Sequence, residues 1–207
     1  MRVFEVESPV GSARVYLRAA DSALAGLVLG HGAGGGVDAP DLVAASEAAL
    51  SVRASVAVVE QPYRVAGRRS PAPARQLDAA WDAVVAHLRA RELRGLPLVV
   101  GGRSLGARVA CRTVAATQAV AVLCLAFPLQ PPRRVASGPA PSRLPELDAV
   151  AVPTLVVQGR RDPFGIPPAS DNRVVVEVTG DHSLKADPQA VSAAVQSWLG
   201  GLLPGFR

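Results

Sequence analysis

The sequence predicts an α/β fold with a mostly parallel, doubly wound sheet, and three observations support this prediction. Apolar runs of strand length alternate with segments of helix length along the chain. Most of these runs are continuously apolar, which is typical of parallel strands covered on both faces. The first two runs differ, because residues 2–7 and 13–18 alternate apolar and polar positions around the turn Pro-Val-Gly-Ser. They predict an antiparallel hairpin at the start of the sheet.

Six further strands are expected, at residues 24–29, 55–59, 98–100, 120–126, 154–157 and 173–178. Four helices are expected between or after them, at residues 41–52, 75–91, 104–117 and 187–199. The second helix places Leu77, Trp81 and Leu88 on one face, and Pro188 occupies a favourable first-turn position in the last helix. Because strand and helix alternate to the end of the chain, right-handed crossover connections are predicted.

Length and composition predict one folded domain over residues 1–207. The chain is 49% hydrophobic and 19% charged, which is typical of a packed globular protein that needs no metal or disulfide to build its core. Cys111 and Cys124 have neither metal-ligand nor redox-motif spacing, so buried free thiols in a reducing compartment are expected. The N-terminal residues lack a signal-peptide core, and no run reaches the roughly 18 apolar residues of a membrane span. We therefore expect a cytoplasmic protein without membrane contact.

The net charge of +5 comes almost entirely from arginine, since Lys185 is the only lysine. Aromatic residues make up 4% of the chain and do not interleave with a basic block, so nucleic-acid binding is not expected. Eight arginines follow the carboxyl ends of predicted strands, the edge where parallel sheets bind ligands: Arg64, Arg68, Arg69, Arg103, Arg133, Arg134, Arg160 and Arg161. They indicate a substrate with carboxylate or phosphate groups. The alternative is that arginine is simply the default surface cation of this chain.

The most informative motif places a serine on a strand-to-helix turn. Residues 102–106 read Gly-Arg-Ser-Leu-Gly between a predicted strand and a predicted helix. Such a nucleophile elbow lifts the serine hydroxyl clear of the sheet edge, and its tightness favours glycine at the flanking positions. The motif predicts Ser104 as a nucleophile.

A nucleophilic serine needs a base, and the base needs an orienting acid. His182 follows the last predicted strand, which fits the chain order serine, acid, histidine. His87 is expected to be a structural or surface residue. His31 is expected to brace a glycine-rich loop, with a role as the base as its alternative. Asp162 is the expected acid because it lies just past the strand 154–157.

Other aspartates are less suitable as the acid. Asp148 precedes that strand and Asp171 lies in the next connection, whereas Asp181 adjoins His182 in sequence, where neighbouring side chains usually diverge. Asp162 itself has a structural alternative, as a turn residue before Pro163.

Two backbone amides are expected to hold the oxyanion of a tetrahedral intermediate. One is that of Leu105, at the start of a helix, and the other is that of Ala33, in the loop after strand 24–29, with Gly34 as the alternative. Four residues are further candidates for substrate contacts: His31, Gly32, Gly34 and Arg103. An ion pair is an alternative role for Arg103. The glycines of this loop do not form a dinucleotide-binding fingerprint and there is no Walker lysine, so neither a metal nor an organic cofactor is expected.

Two segments interrupt the alternation of strands and helices. Residues 61–74 are rich in arginine and proline, and residues 129–153 contain six prolines without sustained periodicity. The second segment is too short for a cap domain and too long for an ordinary connection. We expect it to form a loop over the active site, the alternative being a surface excursion without a functional role.

Four blocks of the chain together resemble the small α/β-hydrolases, in particular the dienelactone-hydrolase-like group and its compact KANL/Tex-like subfamily. They are residues 29–35 (LGHGAGG), 101–108 (GGRSLGAR), 158–164 (QGRRDPF) and 180–184 (GDHSL). The resemblance implies an α/β-hydrolase core of eight strands or slightly fewer and a Ser104–His182–Asp162 triad. Dienelactone hydrolase proper uses a cysteine nucleophile, so its named activity is not carried over to a chain with Ser104. The subfamily also includes proteins whose role is protein interaction.

These observations predict a serine hydrolase that cleaves a small carboxylic ester or thioester through an acyl-enzyme on Ser104. With no cap domain expected, short acyl chains are favoured over long lipids. The alternative is a catalytically silent module that binds a protein or an anionic ligand at the same sheet edge.

Overall fold

The computed structural model describes residues 1–131 and 141–206, which contain one eight-stranded sheet. The strands are β1 (Arg2–Val6), β2 (Ala13–Arg18), β3 (Ala25–Gly30), β4 (Ala54–Glu60), β5 (Leu98–Arg103), β6 (Ala121–Leu125), β7 (Thr154–Gly159) and β8 (Arg173–Val178). Their order across the sheet is β1-β2-β4-β3-β5-β6-β7-β8. Strands β1 and β2 form an antiparallel hairpin, and β2 pairs with β4 in the antiparallel direction. The other six strands, β3 to β8, run parallel to one another. The predicted fold class is confirmed.

Helices cover both faces of this sheet. They are α1 (Pro40–Ser51), α2 (Pro62–Val65), α3 (Ala74–Ala90), α4 (Leu105–Thr117), α5 (Leu144–Asp148) and α6 (Pro188–Leu202), followed by a 3₁₀ turn at Leu203–Phe206. Helices α1 and α6 pack on one face, and α3 and α4 pack on the other. Within the described ranges, no helix combines the length and the apolar character needed to cross a membrane.

The core consists of two apolar layers, one on each side of the sheet. Trp81 and Leu88 of α3 are fully buried in one layer, and Leu42 of α1 is fully buried in the other. Burying a side chain of this size stabilises the fold by roughly 1.5–3 kcal/mol. Cys111 and Cys124 are buried free thiols, as predicted, with their sulfur atoms 3.6 Å apart.

The two segments that interrupt the alternation of strands and helices each contain a short helix, which was not predicted. Proline stands in the first turn of both α2 and α5, where its fixed φ suits a helix start. Helix α5 packs beside α4, because Glu146 pairs with Arg108 at 2.6 Å and Leu147 is buried. Residues 132–140, which include Arg133 and Arg134, lie outside the described residues. The loop over the active site therefore stays a prediction.

Candidate active site

The turn between β5 and α4 holds Ser104 in a rare backbone conformation. Its φ is +51° and its ψ is −104°, and such a backbone costs on the order of 1–3 kcal/mol for a residue with a side chain. Hydrogen bonds from the surrounding structure fix this turn. The Ser104 N–H donates to the Leu125 carbonyl at 2.9 Å, and the Ser104 carbonyl accepts from the Arg108 N–H at 3.2 Å.

Glycines on both sides of Ser104 make this turn possible. Gly102 and Gly106 both press against Gly30 of β3, and a Cβ on either residue would overlap the Gly30 carbonyl. The close packing of the elbow on the neighbouring strand thus requires glycine at both positions. Ser104 leaves the sheet at the carboxyl end of β5, as its motif predicts.

Three of the predicted site residues form one hydrogen-bonded chain. His182 Nε2 lies 2.9 Å from Ser104 Oγ, and His182 Nδ1 lies 2.8 Å from Asp162 Oδ2. The Asp162 side chain is completely buried. With Nδ1–H donated to the carboxylate, Nε2 has a free lone pair directed at the serine hydroxyl. The arrangement can therefore remove the proton of Ser104.

Gln158 belongs to this site, and sequence reasoning missed it. Its Nε2 lies 2.8 Å from Asp162 Oδ2, 2.9 Å from the Gly165 carbonyl and 3.1 Å from the Phe127 carbonyl. Three acceptors around one atom identify that atom as the amide nitrogen. Gln158 is completely buried at the end of β7. The available signal was a polar side chain at the end of a continuously apolar strand.

His182 is further restrained by contacts to its ring and its backbone. The Phe164 ring lies 4.3 Å from the imidazole, centroid to centroid. The Phe164 N–H donates to Asp162 Oδ1 at 2.9 Å, so the same residue also orients the acid. Arg103 Nη2 donates to the His182 carbonyl at 3.1 Å. Both the ring and the backbone of His182 are thus held in place.

Arg103 forms an ion pair inside the protein. Its Nε lies 3.0 Å from Oδ2 of Asp41, a fully buried residue in the first turn of α1. Burial raises the pKa of Asp41, and the Arg103 charge opposes this rise. The ion pair is the alternative role that the sequence left open for Arg103. Asp41 itself was not predicted, although an acidic residue at a helix start is a recognisable signal.

The glycine-rich loop after β3 lies against the serine elbow. A Cβ on Gly32 would stand 3.7 Å from Ser104 Cβ. His31 is buried beneath this loop, where Nδ1 donates to the Gly32 carbonyl at 2.7 Å and Nε2 accepts from the Gln61 N–H at 3.1 Å. Burial also lowers the pKa of His31. His31 therefore braces the loop as a neutral side chain, and His182 is the histidine that contacts Ser104.

The two amides predicted for the oxyanion belong to elements that border Ser104. Leu105 is the first residue of α4, so its N–H has no acceptor within the helix. Ala33 follows Gly32 in the loop, and its carbonyl accepts from the Tyr63 hydroxyl at 3.0 Å. Around Gly34, a Cβ would meet open space. Oxyanion binding by these amides remains a prediction.

Other acidic and histidine side chains considered in the sequence analysis interact with residues outside the Ser104–His182–Asp162 chain. Asp181 Oδ1 accepts from the N–H and the hydroxyl of Ser183, and these hydrogen bonds lower the pKa of Asp181. Asp148 pairs with Arg173 at 3.1 Å. His87 lies 3.5 Å from Glu92 near the end of α3. Neither aspartate is the carboxylate that contacts His182.

Comparisons with known proteins agree with this fold. A family model described as an alpha/beta hydrolase domain matches residues 23–196, whereas no curated protein matches the chain. Est1E from Butyrivibrio proteoclasticus has a TM-score of 0.77 at 15% identity, over 99% of this chain and 100% of that chain. An alpha-beta serine hydrolase homologue from Coxiella burnetii has a TM-score of 0.76 at 15% identity, over 96% and 97%. A serine hydrolase without lid from Xanthomonas campestris has a TM-score of 0.70 at 19% identity, over 95% and 94%.

Proposed function

Since the chain belongs to the alpha/beta hydrolase domain family, we propose that it is a serine hydrolase that cleaves small carboxylic esters or thioesters. One observation carries this proposal: the hydrogen-bonded chain from Ser104 through His182 to Asp162, placed on a strand-to-helix elbow. Nucleophile, base and orienting acid are the three groups that acyl transfer to a serine requires. The serine hydrolase and the serine hydrolase homologue among the similar structures share the fold, which is compatible with this chemistry.

The first half-reaction forms the acyl-enzyme. His182 Nε2 takes the Ser104 proton as Oγ attacks the carbonyl carbon, and Asp162 stabilises the imidazolium that results. The amides of Leu105 and Ala33 donate hydrogen bonds to the developing oxyanion. When the tetrahedral intermediate collapses, His182 gives its proton to the departing alcohol or thiol. The acyl group remains on Ser104.

The second half-reaction returns the enzyme to its starting state. His182 accepts a proton from a water molecule, and the resulting hydroxide attacks the acyl carbon. Collapse of the second intermediate expels Ser104 Oγ, which is reprotonated by His182. The carboxylic acid leaves as the product. Atoms and charges balance in both halves without any group other than water and the substrate.

The size of the acyl group belongs to the same proposal. The described residues contain no separate cap domain over this edge of the sheet. A cap domain would offer apolar surface to a long acyl chain, and burial of such surface is the main source of affinity for lipids. We propose acyl groups of a few carbons.

The proposal is tested by hydrolysis of p-nitrophenyl acetate, butyrate and octanoate and of an acetyl thioester. We expect the wild type to prefer the short esters and Ser104→Ala to lose kcat by on the order of 10⁴ or more. Ser183→Ala, which alters a neighbouring serine outside the hydrogen-bonded chain, should retain activity. Turnover by Ser104→Ala at the wild-type rate would contradict the mechanism. A well-folded wild type without any turnover would favour the binding-module alternative.

A further inference from the structure

A cavity of about 280 Å³ lies beside α2. Its walls come from the β1–β2 turn, from α2 and the residues that follow it, and from the start of α3. Its lining residues include the apolar Val10, Val65 and Leu77 and the polar Arg68 and Gln76. Neither Ser104 nor His182 lines this cavity. Its volume is near the lower end of the range for small-molecule sites.

The register of the sheet relates this cavity to the serine elbow. Gly30 of β3 pairs with Val59 of β4 on one side and with Gly102 of β5 on the other. Gln61 and Ser104 each lie two residues beyond these partners, so both leave the sheet at the same level. Because β3 separates the two strands, the two positions are about 10 Å apart, or two inter-strand spacings. The cavity wall thus stands on the ligand-binding edge of the sheet.

The charge at the cavity points to the class of ligand. Arg68 is exposed at the cavity, and its guanidinium forms no salt bridge with the carboxylates of the part of the chain that is described. Its backbone is fixed, because the Arg68 N–H donates to the Tyr63 carbonyl at 2.9 Å. A guanidinium without an acidic partner, next to apolar walls, matches a carboxylate on an apolar body.

We infer that this cavity binds a small carboxylate, with its charged group on Arg68 and its apolar body against Val65 and Leu77. The sequence left open whether the arginines at the strand ends bind an anionic ligand. That role is thereby assigned to one of them, Arg68. Two sources could supply the ligand. It is either a free acid, such as a product, or the carboxylate-bearing end of a substrate whose ester group reaches Ser104.

Two wall residues connect the cavity to the loop beside Ser104. The Tyr63 hydroxyl donates to the Ala33 carbonyl at 3.0 Å, and the Gln61 N–H donates to His31 Nε2 at 3.1 Å. An occupant of the cavity therefore restrains the loop that contains Ala33. This connection to catalysis rests on the proposed function, in which the Ala33 amide holds the oxyanion, whereas the binding site itself does not.

Calorimetric titration with octanoate and with octanamide tests the binding site. The two probes have the same apolar chain and differ in charge, so the wild type should bind octanoate more tightly. Arg68→Gln should weaken octanoate binding by about tenfold, the effect of losing one hydrogen bond to a charged group. Arg69→Gln is the matched control, because it removes the same charge from the next residue, which does not line the cavity, and its effect should stay below about twofold.

Three results would overturn the inference: equal affinity for the two probes, no binding of octanoate, or equal losses from the two substitutions. Hydrolysis of p-nitrophenyl butyrate in the presence of octanoate then separates the two sources. Competitive inhibition that Arg68→Gln relieves identifies the cavity as a substrate subsite. A change in kcat that Arg68→Gln abolishes identifies a separate acid acting through the loop that contains Ala33. Octanoate that binds without changing kcat or KM contradicts the connection between the cavity and this loop. Binding without turnover in the wild type would overturn the proposed function and leave the binding site standing.

Discussion

Gln158 Nε2 lies 2.8 Å from Asp162 Oδ2, the same oxygen that lies 2.8 Å from His182 Nδ1. A buried carboxylate is costly unless hydrogen bonds satisfy it, and Gln158 supplies one of these bonds where no solvent reaches. The two carbonyls that share the Gln158 amide fix its position. Gln158 is thus a positioning residue, which acts on the proposed base through Asp162.

Gln158→Glu replaces this donor by a carboxyl group of the same size. Two carboxylates at 2.8 Å cannot both be ionised, so a proton is shared between them and competes with the His182 N–H for Oδ2. We expect kcat to fall by about 10²-fold with KM little changed. Gln158→Met removes the donor without adding a carboxyl group and should lose less. Equal losses in steady-state assays of the two variants, or no loss, would contradict this role.

Asp162→Asn should reduce kcat by on the order of 10³–10⁴-fold, because an amide beside Nδ1 favours the wrong imidazole tautomer. Asp181→Asn is the matched control, since Asp181 is next to His182 in sequence but bonds to Ser183. Initial rates with a short p-nitrophenyl ester measure both variants. A larger loss in Asp181→Asn than in Asp162→Asn would refute the assignment of the acid.

Arg103→Met should destabilise the fold by about 3–5 kcal/mol, because it leaves the fully buried Asp41 carboxylate without its partner. The double variant Asp41→Asn/Arg103→Met removes both charges and should recover part of this loss. Urea unfolding of the wild type, both single variants and the double variant measures the coupling. Strictly additive losses would show that the two residues do not stabilise each other.

The stability of the protein should fall as the pH drops below about 6.5, the ordinary pKa of histidine, because burial lowers the pKa of His31 in the folded state. Between the lowered and the ordinary value the unfolded chain binds more protons, so unfolding becomes easier, by at most about 1.4 kcal/mol per pH unit. His31→Gln should reduce this slope, because it removes the group whose pKa differs between the folded and the unfolded chain. Urea unfolding at several pH values between about 5 and 7 measures the slopes, and identical slopes in wild type and His31→Gln would exclude His31 as the cause.

The fold was predictable from the sequence because its central strands, such as β3, β6 and β7, are buried on both faces, although the edge strand β8, also predicted to be covered, is partly exposed. A short, continuously apolar run such as β7 does not show the period of an amphipathic helix, so it indicates a buried strand. Glycine and proline indicated the positions of the turns. Helices α2 and α5 were not predicted, because helices of four or five residues contain too few positions to show a period. The strand predicted at 98–100 continues through Arg103 in the structure. The prediction ended early because the glycines at 101 and 102 are not typical strand residues.

Some residues of the candidate site were also predictable from local sequence, whereas the roles of others depend on contacts between distant parts of the chain. Ser104, Asp162 and His182 were predictable because each follows the end of a strand, and topology brings these ends together. The Asp41–Arg103 pair and the hydrogen bond from Gln158 to the Phe127 carbonyl join distant segments of the chain. No local pattern encodes those contacts, although a buried glutamine and an acidic helix start are signals in hindsight.

The most direct test of the central claim is the intact mass of the protein after incubation with a fluorophosphonate. The wild type, Ser104→Ala and Ser183→Ala should be compared under identical conditions. Activation of Ser104 by His182 predicts a single adduct on the wild type and on Ser183→Ala, and none on Ser104→Ala. An adduct on Ser104→Ala, or no adduct on folded wild type, would contradict the claim that Ser104 is an activated nucleophile.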